Sequence, residues 1–237
     1  MNETSIVVFA DRPELVDSAA TQIAQRLAQL LSSQRETHMV ITGGTVGTEV
    51  LQALRESTKG IDLSSLHIWW IDERFVPDTS DDRNELQARR AWLDSSKLSP
   101  ANIHPFPSSD EASIDSAAKL FAQHIEQIRP TFDLVLLGMG EDGHVASLFP
   151  DSSPSTIGDW VVIEESSPKP PAERLSLSMR AINSAKEILF LVSGSDKAEA
   201  VKQVLSGESD LPAALVQAQE KTTWLIDSQA ASKITSS

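Results

Sequence analysis

Three features of the sequence predict an α/β fold, a mostly parallel sheet with helices on both faces and a single domain over residues 1–237. Short apolar β-type runs alternate with segments patterned at the 3.6-residue helical period. Several of those runs lead straight into glycine-containing loops, as strands of an open parallel sheet do at their carboxyl ends. The composition, 40% hydrophobic and 23% charged over 237 residues, is enough to build a full core in one domain.

Ser5 to Ala10 (SIVVFA) reads as the first strand. Asp11-Arg12-Pro13-Glu14 then starts a helix, with Asp11 as cap and Glu14 three residues on. Its core stripe is Leu15, Ala19, Ile23, Leu27 and Leu30, flanked by Val16, Ala20, Ala24 and Leu31. The alternation continues with strand His38 to Thr42, helix Val46 to Glu56, strand Leu66 to Ile71 and helix Asn84 to Leu93. The Ser/Pro-rich stretch Ser95 to Ser109 reads as a loop, followed by helix Ser113 to Ile128 and strand Phe132 to Leu137. The last third supplies strand Trp160 to Ile163, loop Ser166 to Glu173, a short apolar run Arg174 to Ser178 and strand Glu187 to Val192. Helix Asp196 to Leu205 and strand Thr223 to Ile226 complete the order, and Ala230 to Ser237 is expected to fray.

Charge and composition exclude several classes of function. Twenty Lys plus Arg against 34 Asp plus Glu give a net charge of −14, which argues against a general nucleic-acid binder. The absence of cysteine removes disulfides, thiolate nucleophiles and Cys-ligated metals. No apolar run reaches the roughly 18 residues of a membrane span, and the first residues lack a basic leader, so a soluble cytoplasmic protein is expected. There is no G-x-S-x-G elbow, no H-E-x-x-H and no His or carboxylate set at metal spacing, so the expected chemistry needs neither metal nor cofactor.

The residues that could carry chemistry lie at strand ends. Gly43-Gly44-Thr45-Val46-Gly47-Thr48 joins a strand to a helix; it is either a phosphate cradle of free N–H groups or a tight turn needing glycine for geometry. It lacks the Gly-Lys-Ser/Thr of a Walker loop. Asp72-Glu73-Arg74 places three charges after another strand; Arg74 could stabilise an anion or pair locally with Asp72 or Glu73. Gly138-Met139-Gly140-Glu141-Asp142-Gly143 matches G-x-G-x-x-G, but Pro150 follows too soon for the long helix that a dinucleotide site requires. Those glycines instead let Asp142 and His144 approach a ligand, with His144 able to take a proton and Asp142 able to fix its ring. Lys169 and Arg174 border a proline-stiffened loop, and Lys197 opens a helix against its dipole, where either an anion or Asp196 could balance it.

Taken together these motifs resemble the glucosamine-6-phosphate isomerase/6-phosphogluconolactonase family. The likeness rests on the Gly-Gly-Thr loop, Trp70-x-Asp72-Glu73-Arg74-x-Val76, Ser167-Pro168-Lys169-Pro170-Pro171 and Gly194-x-x-Lys197. Its most specific stretch is Gly138-x-Gly140-x-Asp142-Gly143-His144-x-Ala146-Ser147-Leu148-Phe149-Pro150. The Ala-Ser-Leu-Phe-Pro ending is that of the lactonase branch; the deaminases typically continue Ile-Ala-Phe-Asn. Where members often carry Ser-Thr-Pro after the glycine pair, this chain has Thr45-Val46-Gly47.

The resemblance implies a Rossmann-like domain of the kind shared with ribose-5-phosphate isomerase. It further implies metal-independent hydrolysis of 6-phosphoglucono-1,5-lactone to 6-phosphogluconate, the second step of the oxidative pentose phosphate pathway. His144 would be general base, Asp142 its orienting partner and Arg74 an anion stabiliser, with Gly43, Gly44, Thr45, Lys169, Arg174 and Lys197 around the phosphate. The partner expected is this small sugar phosphate, with no nucleic acid or membrane and a monomer or weak homo-oligomer. An isomerase or deaminase on the same fold, or a sugar-phosphate sensor without turnover, are the competing readings.

Overall fold

The computed structural model describes residues 3–33, 36–207 and 209–234. Its main sheet has seven strands: β1 (Glu3–Phe9), β2 (Thr37–Ile41), β3 (Leu66–Trp70), β5 (Ile103–His104), β6 (Phe132–Leu137), β10 (Glu187–Val192) and β11 (Lys221–Asp227). They run in the order β1-β11-β10-β6-β2-β3-β5, and every pairing is parallel. The helices are α1 (Arg12–Ser33), α2 (Gly44–Ser57), α3 (Asn84–Ala91), α4 (Ile114–Ile128), α5 (Met179–Asn183) and α6 (Ala198–Leu205). Consecutive residues of β2 and β6 are all buried, as happens only where both faces of a sheet are covered. The mostly parallel, helix-flanked architecture read from the sequence is therefore the one observed.

The local signals at helix ends are also realised. Glu14 N donates to Asp11 Oδ1 and Ala10 N to Glu14 Oε2, a reciprocal box at the start of α1. Every member of the α1 core stripe is buried, with Leu31 partly so. Ser113 caps α4 through Ser116 N.

Four features depart from expectation. A second, antiparallel sheet of β4 (Asp72–Arg74), β9 (Arg174–Leu177), β8 (Val161–Glu164) and β7 (Ser155–Ile157) stands beside the first, where the sequence pattern points to one mostly parallel sheet. Within the Ser95 to Ser109 stretch, Ile103–His104 pairs with β3 as an edge strand. β1 forms as expected yet remains exposed at Ile6, Val7 and Val8, because only β11 adjoins it. The segment expected to fray is packed as far as it is described: Ala230 is fully buried with its N–H on Asp227 Oδ1, and Ile234 lies against the core. Residues 235–237 lie outside the described residues. No described helix is long and apolar enough to cross a membrane.

The topology places the site. From β2 the chain moves outward to β3 and β5, then returns on the other side of β2 with β6, β10 and β11. The loops leaving β2 and β6 diverge at this reversal, and a crevice opens beyond their carboxyl ends.

Candidate functional site

That crevice is a cleft of about 830 Å³. Gly43, Gly44 and Thr45 reach it from the end of β2, Gly138, Gly140 and His144 from β6, and Gly194 and Lys197 from β10. Arg74, Lys169 and Arg174 line it from β4, the loop before β9 and β9 itself. A smaller recess of about 160 Å³ beside it is bordered by Asp72, Arg74, Asn84, His144 and Arg174. Every site residue proposed from the sequence thus borders the cleft except Asp142, which stands behind His144.

His144 is held from both sides. Its Nδ1 lies 2.5 Å from Asp142 Oδ1, and the same oxygen accepts the His144 backbone N–H at 3.2 Å. Phe149 packs on the ring with centroids 4.5 Å apart. A β-carbon on Gly140 would stand 2.0 Å from His144 Nδ1, so only glycine lets the ring fold back over its own loop. Burial lowers the imidazole pKa below its ordinary 6.5, outweighing the opposite pull of Asp142. Burial acts to raise Asp142, but the adjacent His144 and its hydrogen bonds hold the carboxyl below its usual value. Near neutrality the ionised Asp142 only accepts, so the proton sits on Nδ1 and Nε2 keeps a free lone pair.

The cations differ in how far they are already engaged. Arg74 forms no ion pair among the described residues; its Nη1 donates to the Asp82 carbonyl at 2.6 Å. Local pairing with Asp72 or Glu73 is therefore not what occurs, because Asp72 accepts from Ser147 Oγ and Glu73 from backbone N–H groups. Arg174 donates through Nε to the Pro171 carbonyl and through Nη2 to that of Lys169, fastening the loop that presents Lys169. Lys169 Nζ is 3.5 Å from Glu141, and Lys197 Nζ is 2.9 Å from Asp196, the balancing partner noted in the sequence.

Sequence reasoning missed two residues that border the cleft and its recess. Arg12 lines the cleft from the first turn of α1, the same position against the dipole that drew notice to Lys197, but the helix-start pattern absorbed it. Asn84 was seen only as a helix start, and its place beside Gly43 follows from packing alone.

Comparison with known proteins bears on the family and the fold. The profile described as glucosamine-6-phosphate isomerases/6-phosphogluconolactonase matches residues 10–224. The chain belongs to the glucosamine-6-phosphate isomerase/6-phosphogluconolactonase family. The chain is 37% identical to a 6-phosphogluconolactonase of Mycobacterium leprae, covering 97% of this chain and 98% of that one. It is 38% identical to one of Streptomyces coelicolor, over 99% and 96% respectively. The crystal structure of the Thermotoga maritima 6-phosphogluconolactonase superposes with a TM-score of 0.87 at 29% identity, covering 95% of this chain and all of that one. The family's α/β fold is thus shared over almost the full described length.

Proposed function

We propose that this chain hydrolyses the ring ester of 6-phosphoglucono-1,5-lactone to 6-phosphogluconate, with His144 as general base. The observation that carries the reading is the Asp142–His144 pair opening onto a cleft lined by Arg12, Arg74, Lys169 and Lys197. A base and an anion-binding wall are the two things this reaction needs. The names of the relatives point to the same substrate.

In this mechanism the backbone N–H groups at the start of α2, from Gly44 and Thr45, meet the phosphate together with Lys169 and Lys197. His144 Nε2 takes a proton from water as its oxygen bonds to the lactone carbonyl carbon. Arg74 stabilises the negative charge that develops on the carbonyl oxygen. The bond from that carbon to the ring oxygen then breaks, and the imidazolium returns its proton to the departing oxygen. Asp142 keeps Nδ1 protonated throughout and steadies the charged ring. A strained-ring ester needs no covalent enzyme intermediate, and none of these steps uses a nucleophilic side chain. The net charge of −14 repels a sugar phosphate only weakly beyond about 8 Å at physiological salt, so the local cations govern binding.

The test is hydrolysis of freshly generated 6-phosphoglucono-1,5-lactone above the spontaneous rate, with wild type beside His144→Ala. Wild-type acceleration that falls about 10²–10⁴-fold in the variant is expected. Equal rates in the two proteins would remove His144 from the role of base. Ammonia release from glucosamine-6-phosphate in place of lactone turnover would assign the deaminase reaction instead.

A further inference from the structure

We propose that Glu73 is a positioning residue for this reaction: its carboxylate fixes the backbone of Arg74 and the start of α3, and through them sets the anion-binding wall. The inference rests on the lactonase reading for its assay but on separate observations for its content. Glu73 is 1% exposed and does not border the cleft. Its Oε1 accepts from Arg74 N at 2.9 Å and Asn84 N at 2.7 Å, and its Oε2 from Glu85 N at 2.8 Å. Arg83, at the N-cap position of α3, provides no side-chain cap, so a carboxylate eleven residues earlier in sequence caps the helix across space.

Both consequences reach the substrate side. The peptide of Arg74 is pinned, and so is the entry to α3 that follows Asp82, whose carbonyl receives the Arg74 guanidinium. Asn84, fixed through its N–H, donates from Nδ2 to the Asp72 carbonyl at 3.0 Å and lays Oδ1 against Gly43. That Oδ1 is buried and has no hydrogen-bond partner. One carboxylate therefore sets the spacing between the cation on β4 and the glycine loop after β2.

The clamp needs acceptors at both oxygens. Three N–H groups converge on it, so a proton on either oxygen, or an amide in place of the carboxylate, turns a donor toward a donor. Burial pushes the Glu73 carboxyl up to about 7, against the pull of Arg83 and the three N–H groups. The other charged groups around it are Glu85 on α3, Asp72 and Arg74 on its own strand, and Arg174 on β9. The clamp is thus complete above neutrality and weakened below it.

The experiment is the pH profile of kcat/KM, corrected for spontaneous hydrolysis, for wild type and Glu73→Gln, with Arg74→Ala and the double variant. Wild-type turnover at pH 8 is measured first; its absence would sink the lactonase reading, and the Glu73 comparison would then be made by calorimetric binding of 6-phosphogluconate. Glu73→Gln is expected to lose about 10–100-fold in kcat/KM at pH 8. It is also expected to lose the acidic limb near pH 7, leaving the lower limb of His144. In the Arg74→Ala background the same change should cost less than it does in wild type, because only the route through α3 and the glycine loop is left. A Glu73→Gln profile of unchanged shape, or fully additive losses in the double variant, would overturn the proposal. Should Glu73→Gln fail to fold, carbon-13 spectra of the wild-type glutamate carboxyls decide it: a midpoint differing from the kinetic limb by more than one pH unit refutes the assignment.

Discussion

Replacing His104 by glutamine tests whether buried imidazoles set this protein's resistance to acid. Four of the five histidines stand apart from the cleft, on β2, β3, β5 and α4. His104 Nε2 is 3.0 Å from His67 Nδ1, and its Nδ1 is 2.9 Å from His124 Nε2. Trp69 Nε1 donates to His38 Nδ1 at 3.1 Å, which keeps that nitrogen unprotonated, and Trp69 stacks on His104 with centroids 4.0 Å apart. Burial first, then the neighbouring imidazoles, lowers His104 to about 3; burial and His67 lower His38 to about 4. The unfolded chain binds a proton at each site below about 6.5 that the folded chain refuses, so stability falls as the pH drops through 6.5 toward the folded values. Between pH 7 and pH 5 the loss is set by the unfolded side, 1.5 pH units at about 1.36 kcal/mol each, or about 2 kcal/mol per site. That is a large share of the 5–15 kcal/mol, roughly, that holds a domain folded.

The assay is urea unfolding at pH 7, 6 and 5, followed by fluorescence of the five tryptophans. Glutamine can still hydrogen-bond to its neighbours but cannot take the proton. His104→Gln is therefore less stable than wild type at pH 7, yet its drop from pH 7 to pH 5 is smaller by about 2 kcal/mol. Glu73, with its carboxyl pushed up to about 7, gains stability over the same interval, and this cancels between the two proteins. Equal drops in wild type and variant would refute the reasoning.

Two further outcomes follow from contacts at the cleft. Gly43→Ala puts a β-carbon 2.1 Å from Asn84 Oδ1, displacing the glycine loop; KM for the lactone should rise about tenfold or more with a smaller change in kcat, as steady-state kinetics will read. Ser147→Ala removes the 2.7 Å hydrogen bond to the buried Asp72 Oδ2, which should cost about 1–3 kcal/mol. By differential scanning calorimetry that corresponds to a drop of about 3–10 °C, and an unchanged midpoint would show that Asp72 finds another donor.

The readable parts of the sequence were those whose physics is local. The α1 stripe, the Asp11–Glu14 box and the runs of β2, β6 and β10 depend on neighbours within a few residues, and they stand where their patterns placed them. The glycine loops and His144 were legible for a related reason, since strand ends in a parallel sheet converge on a crevice whatever the loops contain. The pairings that complete the site are not local. β4 is three charged residues, with no apolar alternation, and becomes a strand only because β9 arrives beside it from a hundred residues away. β5 is two residues long and exists only through β3. Whether Arg74 paired with its own neighbours or stayed free was settled by where Ser147 and the start of α3 fell, since those groups took up Asp72 and Glu73. By itself the sequence determined the order of the longer strands and helices and which loops reach the cleft. Tertiary packing decided which charges are engaged and which line the cleft, because a charged side chain's partner depends on distance in space, and local pattern carries no record of that.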